Sequence, residues 1–197
     1  MGAETMRLPA VANDLELYRE RVRYAIGRRT GKPILNGSVE HAAVLVEESL
    51  LAAQDEVLLL SSNLDEACFG RPNVVSAVRS FLVDPHRRLR VLVERSQPSF
   101  QWENHPFVES ALRTAQRADR VEFAAVPPEW VDRYRFNFLV VDRFGYRYQE
   151  DRDELAAVAC FLPDDRPIDA DDSVMRLHGI FDQLAANSVP LRLPVAA

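Results

Sequence analysis

Hydrophobic residues follow a helical period in some segments of the chain and form short continuous runs in others. The segment NDLELYRERVRYAIGRR predicts a helix, because Leu15, Tyr18, Val22 and Ile26 lie three or four residues apart. A second helix is predicted in VEHAAVLVEESLLAAQ, which follows Ser38, a residue type that caps helices well. The nearly all-apolar run EVLLLSS comes next and predicts a strand whose two faces are both covered by helices.

The alternation of helices and strands continues along the rest of the chain. Further strands are predicted in RLRVLVE, RVEFAAV, FNFLVVD and ELAAVACFL, and further helices in NVVSAVRSFL, HPFVESALRTAQ and SVMRLHGIFDQLAANS. RFGYRYQ predicts a hairpin partner that turns at Gly145, and PPEWVDRY predicts a loop. This order of elements predicts an α/β fold in which helices sandwich a mixed β-sheet.

The break at TGKP predicts two parts of unequal size. Residues 1–33 are predicted to form an N-terminal helical appendage, and residues 34–197 an α/β domain. A chain of 197 residues with 47% hydrophobic residues is long enough for one domain with a sizeable core. The appendage helix packs against its own domain, which we favour, or binds a partner.

The overall composition and net charge make some classes of function less favoured than others. A formal net charge of −6 makes strong non-specific DNA binding a poor prediction. Cys68 and Cys160 lie in apolar stretches, which predicts reduced core thiols in a cytoplasmic protein. No apolar run is long enough to span a bilayer. Lys32 is the one lysine beside many arginines, which is typical of a GC-rich bacterial genome.

The segment RFNFLVVD carries polar residues at an informative spacing. Arg135 opens it, Asn137 follows two residues later, and Asp142 ends the apolar run. This segment resembles the signature strand of one half of the phospholipase D superfamily, which reads His-x-Lys, four mostly apolar residues and Asp. The order of elements over residues 38–188 is also similar to that of this family. The resemblance implies a phospholipase D-like α/β domain.

Two signature positions depart from the family pattern. Arg135 stands where the family has its nucleophilic histidine, and Asn137 stands where it has lysine, while Asp142 is retained. The Gly-Ser-x-x-Asn element of the family is not apparent after this strand. Arginine stays protonated, with a pKa above about 12, and can neither attack phosphorus nor act as a base near neutral pH. The resemblance therefore implies a pseudoenzyme with a degenerate signature, and we predict no catalytic residue.

Two interpretations of these three residues stay open. Arg135, Asn137 and Asp142 form a vestigial cleft that binds an anion, since a guanidinium suits phosphate or carboxylate. Alternatively, Arg135 pairs with a nearby acid and Asp142 caps the turn before Gly145, which we favour slightly. We expect no cofactor and no metal, because no histidine pair has ligand spacing and the acidic loops QEDRDE and PDDRPIDADD are typical of solvated surface.

Aromatic residues in two loops suggest an interaction rim. Phe100, Trp102 and Phe107 follow the strand RLRVLVE, and Trp130 and Tyr134 precede the signature strand. Exposed aromatic residues of this kind are typical of partner surfaces, whereas the alternative is a loop folded over the core edge.

The resemblance also implies an assembly and a function. Single-half members of the superfamily form homodimers, so we expect a homodimer. We predict a catalytically inactive interaction module in a bacterial complex, with other protein partners favoured over nucleic acid and no membrane insertion. The first alternative is a phosphodiesterase or nuclease that uses His105 or His178 with Arg135. The second is a non-catalytic nucleic-acid or nucleotide binder.

Overall fold

A single β-sheet is the layer on which the other elements of this protein pack. The computed structural model describes residues 10–94, 102–115, 119–166 and 172–191. Within these residues the helices are α1 (Ala10–Arg28), α2 (Val39–Ala52), α3 (Glu66–Phe69), α4 (Pro72–Leu82), α5 (Pro106–Ala115), α6 (Pro128–Val131) and α7 (Ser173–Asn187). The strands are β1 (Ile34–Asn36), β2 (Glu56–Ser61), β3 (Arg88–Val93), β4 (Val121–Ala125), β5 (Asn137–Val141), β6 (Gly145–Gln149), β7 (Ala157–Phe161) and β8 (Val189–Pro190).

The sheet is mixed, as the sequence predicts. In the described residues its strand order is β1-β7-β6-β5-β2-β3-β4-β8. Strands β2, β3 and β4 are parallel, whereas every other neighbouring pair is antiparallel. The predicted fold class, an α/β fold with a mixed sheet between helices, is confirmed.

The two faces of the sheet carry separate cores, because side chains alternate along each strand. In β2, Val57 and Leu59 belong to the larger core, which also contains residues of α1, α2, α4 and α5. Leu58 and Leu60 point to the other face and pack with residues of α7, including Phe181. Strands β2 and β5 are therefore buried on both sides, which explains why their sequences are apolar on both faces.

Helix α1 packs against α2 through both apolar and charged contacts. Tyr18 and Val22 are part of the larger core. The Arg19 guanidinium lies 2.6 Å from carboxylate oxygens of both Glu47 and Glu48 on α2. Helix α1, in the predicted appendage, is thus joined to α2, the first helix of the predicted α/β domain. In the described residues, none of the helices has the length and apolar character that crossing a membrane needs.

The turn between β5 and β6 differs from the prediction. Gly145 is the first residue of β6, and the left-handed turn residue is Asp142, with φ 47°. A Cβ at Gly145 would lie 2.6 Å from Cδ1 of Phe161. Gly145 is therefore required by close packing rather than by the turn. The segment PPEWVDRY, predicted as a loop, contains the short helix α6.

Arg120 joins the C-terminal ends of two helices from a buried position. Its guanidinium donates to the backbone oxygens of Ala115 at 2.9 Å, Leu82 at 2.7 Å and Arg87 at 3.2 Å, and also to that of Asp84. The last carbonyl groups of a helix have no partner within the helix. Arg120 satisfies such groups at the ends of α4 and α5, so both helix ends depend on one side chain.

We predict that Arg120→Met lowers the free energy of unfolding by about 2–4 kcal/mol, because buried carbonyl groups lose charge-assisted hydrogen bonds. Urea unfolding followed by circular dichroism measures this change. Arg113→Met is the matched control, since Arg113 is exposed and pairs with Glu109 one turn away. The control is expected to change stability by less than about 0.5 kcal/mol. Equal effects of the two substitutions would contradict the structural role of Arg120.

Candidate functional site

A cleft of about 310 Å³ opens where α2 begins and where β2, β5 and β6 present their polar ends. Strand β5 is antiparallel to both β2 and β6, so the start of β5 lies beside the last residues of its two neighbours. Its polar lining residues are Ser38, Ser61, Ser62, Asn63, Asp65, Asn137, Arg147, Gln149, Arg152, Asp153 and Glu154. Val39, Val46, Leu59 and Phe69 are among its apolar lining residues. The volume is at the lower end of the range for small-molecule sites.

The three predicted signature residues do not meet in this cleft. Asn137 lines it, and its Oδ1 accepts a hydrogen bond from the backbone N–H of Ser62 at 2.9 Å. Arg135 precedes β5 with its side chain 61% exposed, and its guanidinium lies 3.3 Å from the carboxylate of Asp153 at the cleft. Asp142 lies beyond the opposite end of the strand. The structure therefore brings Arg135 and Asn137 near one another and separates both from Asp142.

Asp142 holds the other end of the central strand pair. Its carboxylate accepts hydrogen bonds from the backbone N–H groups of Gln54, Asp55 and Glu56, at 2.8–2.9 Å. These groups belong to the connection between α2 and β2. The backbone oxygen of Asp142 is also 2.8 Å from Nε2 of His178. Asp142 thus fastens neighbouring elements, and its carboxylate is fully occupied by backbone amides.

Arg147 is the principal cation of the cleft. It lies on β6 and is partly buried, with Nε donating to Asn36 Oδ1 at 3.2 Å and Nη2 donating to Gln149 Oε1 at 3.1 Å. Burial lowers the pKa of this guanidinium. Among the described residues, Arg147 forms no ion pair with a carboxylate, and Nη1 is left without a hydrogen bond. A cation that has lost water without gaining an acid attracts an anionic ligand.

Neutral hydrogen-bond donors surround this charge. Asn137 uses Oδ1 as an acceptor, which leaves its Nδ2 group as a donor. Ser38 caps α2 by accepting from the backbone N–H of His41, and both Ser38 and Val39 line the cleft. The start of a 14-residue helix therefore borders the same space, where the helix dipole favours negative charge.

Gln149 links the cleft to the loop that forms part of its mouth. Its Nε2 donates to the backbone oxygens of Asp151 at 3.3 Å, Arg152 at 3.4 Å and Glu154 at 2.5 Å. The same side chain accepts from Arg147 through Oε1. One amide thus orients the guanidinium and shapes residues 151–154.

A second arginine in the cleft is already neutralised. Arg152 donates through Nη1 to Glu94 at 2.6 Å and to the backbone oxygen of Val131 at 3.1 Å. The side chains of this pair are only 8% and 1% exposed. Breaking such an ion pair would leave an uncompensated buried charge. Arg152 is therefore assigned a structural role, and we do not assign it to ligand binding.

The four histidines of the chain all lie in described residues, and none of them lines the cleft. His105 is buried, with Nε2 2.8 Å from the backbone oxygen of Leu64, and burial lowers the pKa of its imidazole. His178 lies near Asp142 at the other end of β5. His41 stacks on Tyr18, with ring centroids 3.9 Å apart. Within the described residues, no group of three His, Cys, Asp or Glu residues is placed to hold a metal ion.

The predicted aromatic rim divides between two locations. Trp102 and Phe107 are 6% and 1% exposed and belong to the larger core, so they are not available to an outside partner. Their apolar rings are covered because α5 packs them against the rest of that core. Trp130 and Tyr134 are partly buried at the other face of the sheet, with parallel rings and centroids 6.3 Å apart. Phe100 lies outside the described residues.

Sequence reasoning missed Arg147 and Gln149, although a signal was present. In GYRYQ, tyrosines alternate with Arg147 and Gln149 at the strand period of two. Tyr146 and Tyr148 pack toward the smaller core, so the two polar residues necessarily point to the opposite face. A cation on the face that carries the larger core predicts a special site. The pattern could not reveal that, in the described part of the fold, this cation has no acidic partner.

The fold and the cleft together define an α/β protein with a candidate anion site at one end of its central strands. The sequence matches the model of DUF7931, a domain of unknown function, over residues 38–166. Because this span is more than half of the 197 residues, the chain belongs to the DUF7931 family. No curated protein matches the chain by sequence.

Solved structures are similar to this chain in fold. The archaeal chromatin protein TrmBL2, whose structure is described as showing a novel mode of DNA binding, has a TM-score of 0.55 and 12% identity. The match covers 92% of this chain and 64% of that chain, so this chain spans less than two thirds of TrmBL2. An identity this low shows a shared fold and nothing about function.

Two further structures are similar at lower scores. NucT from Helicobacter pylori has a TM-score of 0.49 and 7% identity, over 81% of this chain and 99% of that chain. Phosphatidylserine synthase from Haemophilus influenzae Rd KW20 has a TM-score of 0.47 and 8% identity, over 81% of this chain and 39% of that chain. These scores are too low to add to the fold argument.

We predict that Cys68, in the wall of the cleft, alkylates slowly in the folded protein at pH 8. Burial raises the pKa of its thiol to about 11, which leaves about one thiolate in a thousand at this pH. Iodoacetamide labelling followed by peptide mass spectrometry measures the rate separately from that of Cys160. The rate should keep rising above pH 9, whereas the urea-unfolded chain should level off there. A plateau near pH 9 in the folded protein would contradict the raised pKa.

Proposed function

We propose that this chain is a non-catalytic phospholipase D-like domain whose cleft binds an anion of the phosphate class. The observation that carries the proposal is the Arg147 guanidinium, which faces the cleft and has no carboxylate partner among residues whose placement the structure describes. Asn137 adds a side-chain donor, and the positive end of the α2 dipole lies at the same cleft. A planar guanidinium with a free edge suits two oxygens of one phosphate group.

The residues at the family's nucleophile and lysine positions support the non-catalytic part of the proposal. The resemblance assigns the attacking position to Arg135, which is permanently protonated and pairs with Asp153. Asn137, at the position of the family's lysine, is neutral and engages Ser62. An enzyme with a rebuilt site needs a histidine within hydrogen-bond reach, yet His105 and His178 lie away from the cleft lining. The rebuilt enzyme is therefore the weaker candidate.

An interaction role in a larger assembly is part of the same proposal. The resemblance implies a homodimer in which the two signature strands approach one another. Arg135 is exposed beside the first residue of that strand, and Trp130 and Tyr134 are partly exposed on the segment before it. These three side chains supply a guanidinium and two aromatic rings to a second copy or another protein.

We predict that the folded protein binds inorganic phosphate and that Arg147→Met weakens this binding about 10–100-fold. Losing one or more charge-assisted hydrogen bonds of about 1.5–3 kcal/mol accounts for this range. Isothermal titration calorimetry at low ionic strength provides the measurement. Arg79→Met, on the exposed side of α4, is the matched control and should leave the affinity unchanged. Urea unfolding of both variants separates lost binding from lost folding.

No binding by the wild-type chain, or equal binding by the wild-type chain and Arg147→Met, would reject the proposed site. The Arg147→Lys variant tests the contribution of guanidinium geometry, because lysine keeps the positive charge but lacks the two parallel N–H donors. An intermediate affinity is expected for this variant, since lysine presents a point charge in place of two parallel donors.

We predict that the chain hydrolyses bis-(p-nitrophenyl) phosphate no faster than buffer, because the signature position offers no lone pair for attack on phosphorus. Release of p-nitrophenol at 405 nm, on the order of hours at neutral pH, measures the rate. Arg135→Ala and His178→Ala serve as paired variants. Turnover by the wild-type chain that either substitution abolishes would establish a rebuilt active site and overturn the non-catalytic proposal.

A further inference from the structure

The charges of the cleft are arranged with opposite signs at its interior and its mouth. Arg147 is partly buried on β6, whereas Asp65, Asp153 and Glu154 are exposed lining residues. Asp153 is offset by its pair with Arg135 at 3.3 Å. Asp65 and Glu154 form no ion pair among the described residues. An entering ligand therefore passes two carboxylates before it reaches a guanidinium.

The thiol of Cys68, in the wall of the cleft, interacts electrostatically with groups of both signs. Cys68 lines the cleft on α3, close to Asp65, which caps that short helix through the backbone N–H of Ala67 at 3.0 Å. Burial is the main cause of the raised pKa of the Cys68 thiol, while Arg147 acts to lower this pKa and Asp65 acts to raise it. The positive and negative groups are thus both within electrostatic reach of one side chain.

We infer that the cleft takes a small zwitterion, with the anionic group on Arg147 and the cationic group at Asp65 and Glu154. The inference rests on the proposed function and specifies the ligand of the same site. A ligand that carries only an anionic group pairs with the guanidinium, but its uncharged end then lies beside the two carboxylates. A ligand with both charges matches the whole cleft, and the apolar wall at Val39, Val46 and Phe69 covers the short linker between them.

The same arrangement disfavours nucleic acid as the occupant. A nucleic-acid strand carries a negative charge about every 3.4 Å along a duplex axis, so a phosphate at Arg147 brings further phosphates to the mouth. Those phosphates meet Asp65 and Glu154, while the second arginine of the described lining, Arg152, is already paired with Glu94. Repulsion between like charges weakens the binding of a polyanion, so the two carboxylates act as specificity determinants.

Two probes of similar size test the inference. O-Phosphoethanolamine and ethyl phosphate share a phosphomonoester and differ chiefly in the ammonium group. By isothermal titration calorimetry at low ionic strength, we expect the zwitterion to bind about tenfold tighter than ethyl phosphate. We expect a ten-residue oligothymidylate to bind more weakly than either.

The double variant Asp65→Asn with Glu154→Gln removes the two mouth charges. Asparagine preserves the helix cap, and both positions are exposed, so folding is retained. The preference for the zwitterion should disappear, and the oligothymidylate should gain about tenfold in affinity. The control Asp14→Asn with Glu20→Gln removes equal charge from the exposed face of α1 and should change neither result.

The outcomes separate this inference from the function on which it rests. If no phosphate compound binds, or if binding is indifferent to Arg147→Met, the anion site itself is wrong. If ethyl phosphate binds as tightly as O-phosphoethanolamine, the anion site stands and the zwitterion inference is overturned. Tighter binding of the oligothymidylate than of either small probe would likewise overturn it in favour of a nucleic-acid site.

Discussion

Strands β2 and β5 run antiparallel at the centre of the sheet, and Asp142 fastens one end of this pair to the connection that precedes β2. Both faces of the pair are apolar, so polar side chains are confined to the strand ends. At one end, the carboxylate of Asp142 accepts hydrogen bonds from three backbone amides. At the other end Asn137 contacts the backbone of Ser62 and leaves space beside it. The cleft lies beside this Asn137 end of the strand pair.

Arginines inside this protein have three different kinds of hydrogen-bond partner. Arg120 is surrounded by backbone carbonyl groups, and Arg152 and Arg166 lie beside the carboxylates of Glu94 and Asp172. Arg147 instead contacts two neutral amides, of Asn36 and Gln149. Amide oxygens orient a guanidinium but do not cancel its charge. Arg147 therefore differs from these other arginines, because its positive charge is not neutralised and can attract an anion inside the cleft.

Much of the fold was predictable from sequence, since helix and strand periods are local properties of the chain. Ser38 is the N-cap of α2 as its residue type suggests, and RFNFLVVD contains β5. The short strands β1 and β8 were not predicted, because two or three residues carry no period and pair only after the sheet has formed. The site was predictable only in part: Asn137 lines the cleft, but Arg135 lies at its margin and Asp142 at the far end of the strand.

The sequence by itself determined the layers, the central strand and the lack of a histidine at the signature position, because each depends on residue type and spacing along one segment. Tertiary structure alone decided that Arg147 has no acidic partner within the described part of the chain, that Trp102 and Phe107 are core residues, and that the exposed lining includes Asp65 and Glu154. These features arise between segments distant in the chain. Charge compensation depends on distance through space, which no local period encodes.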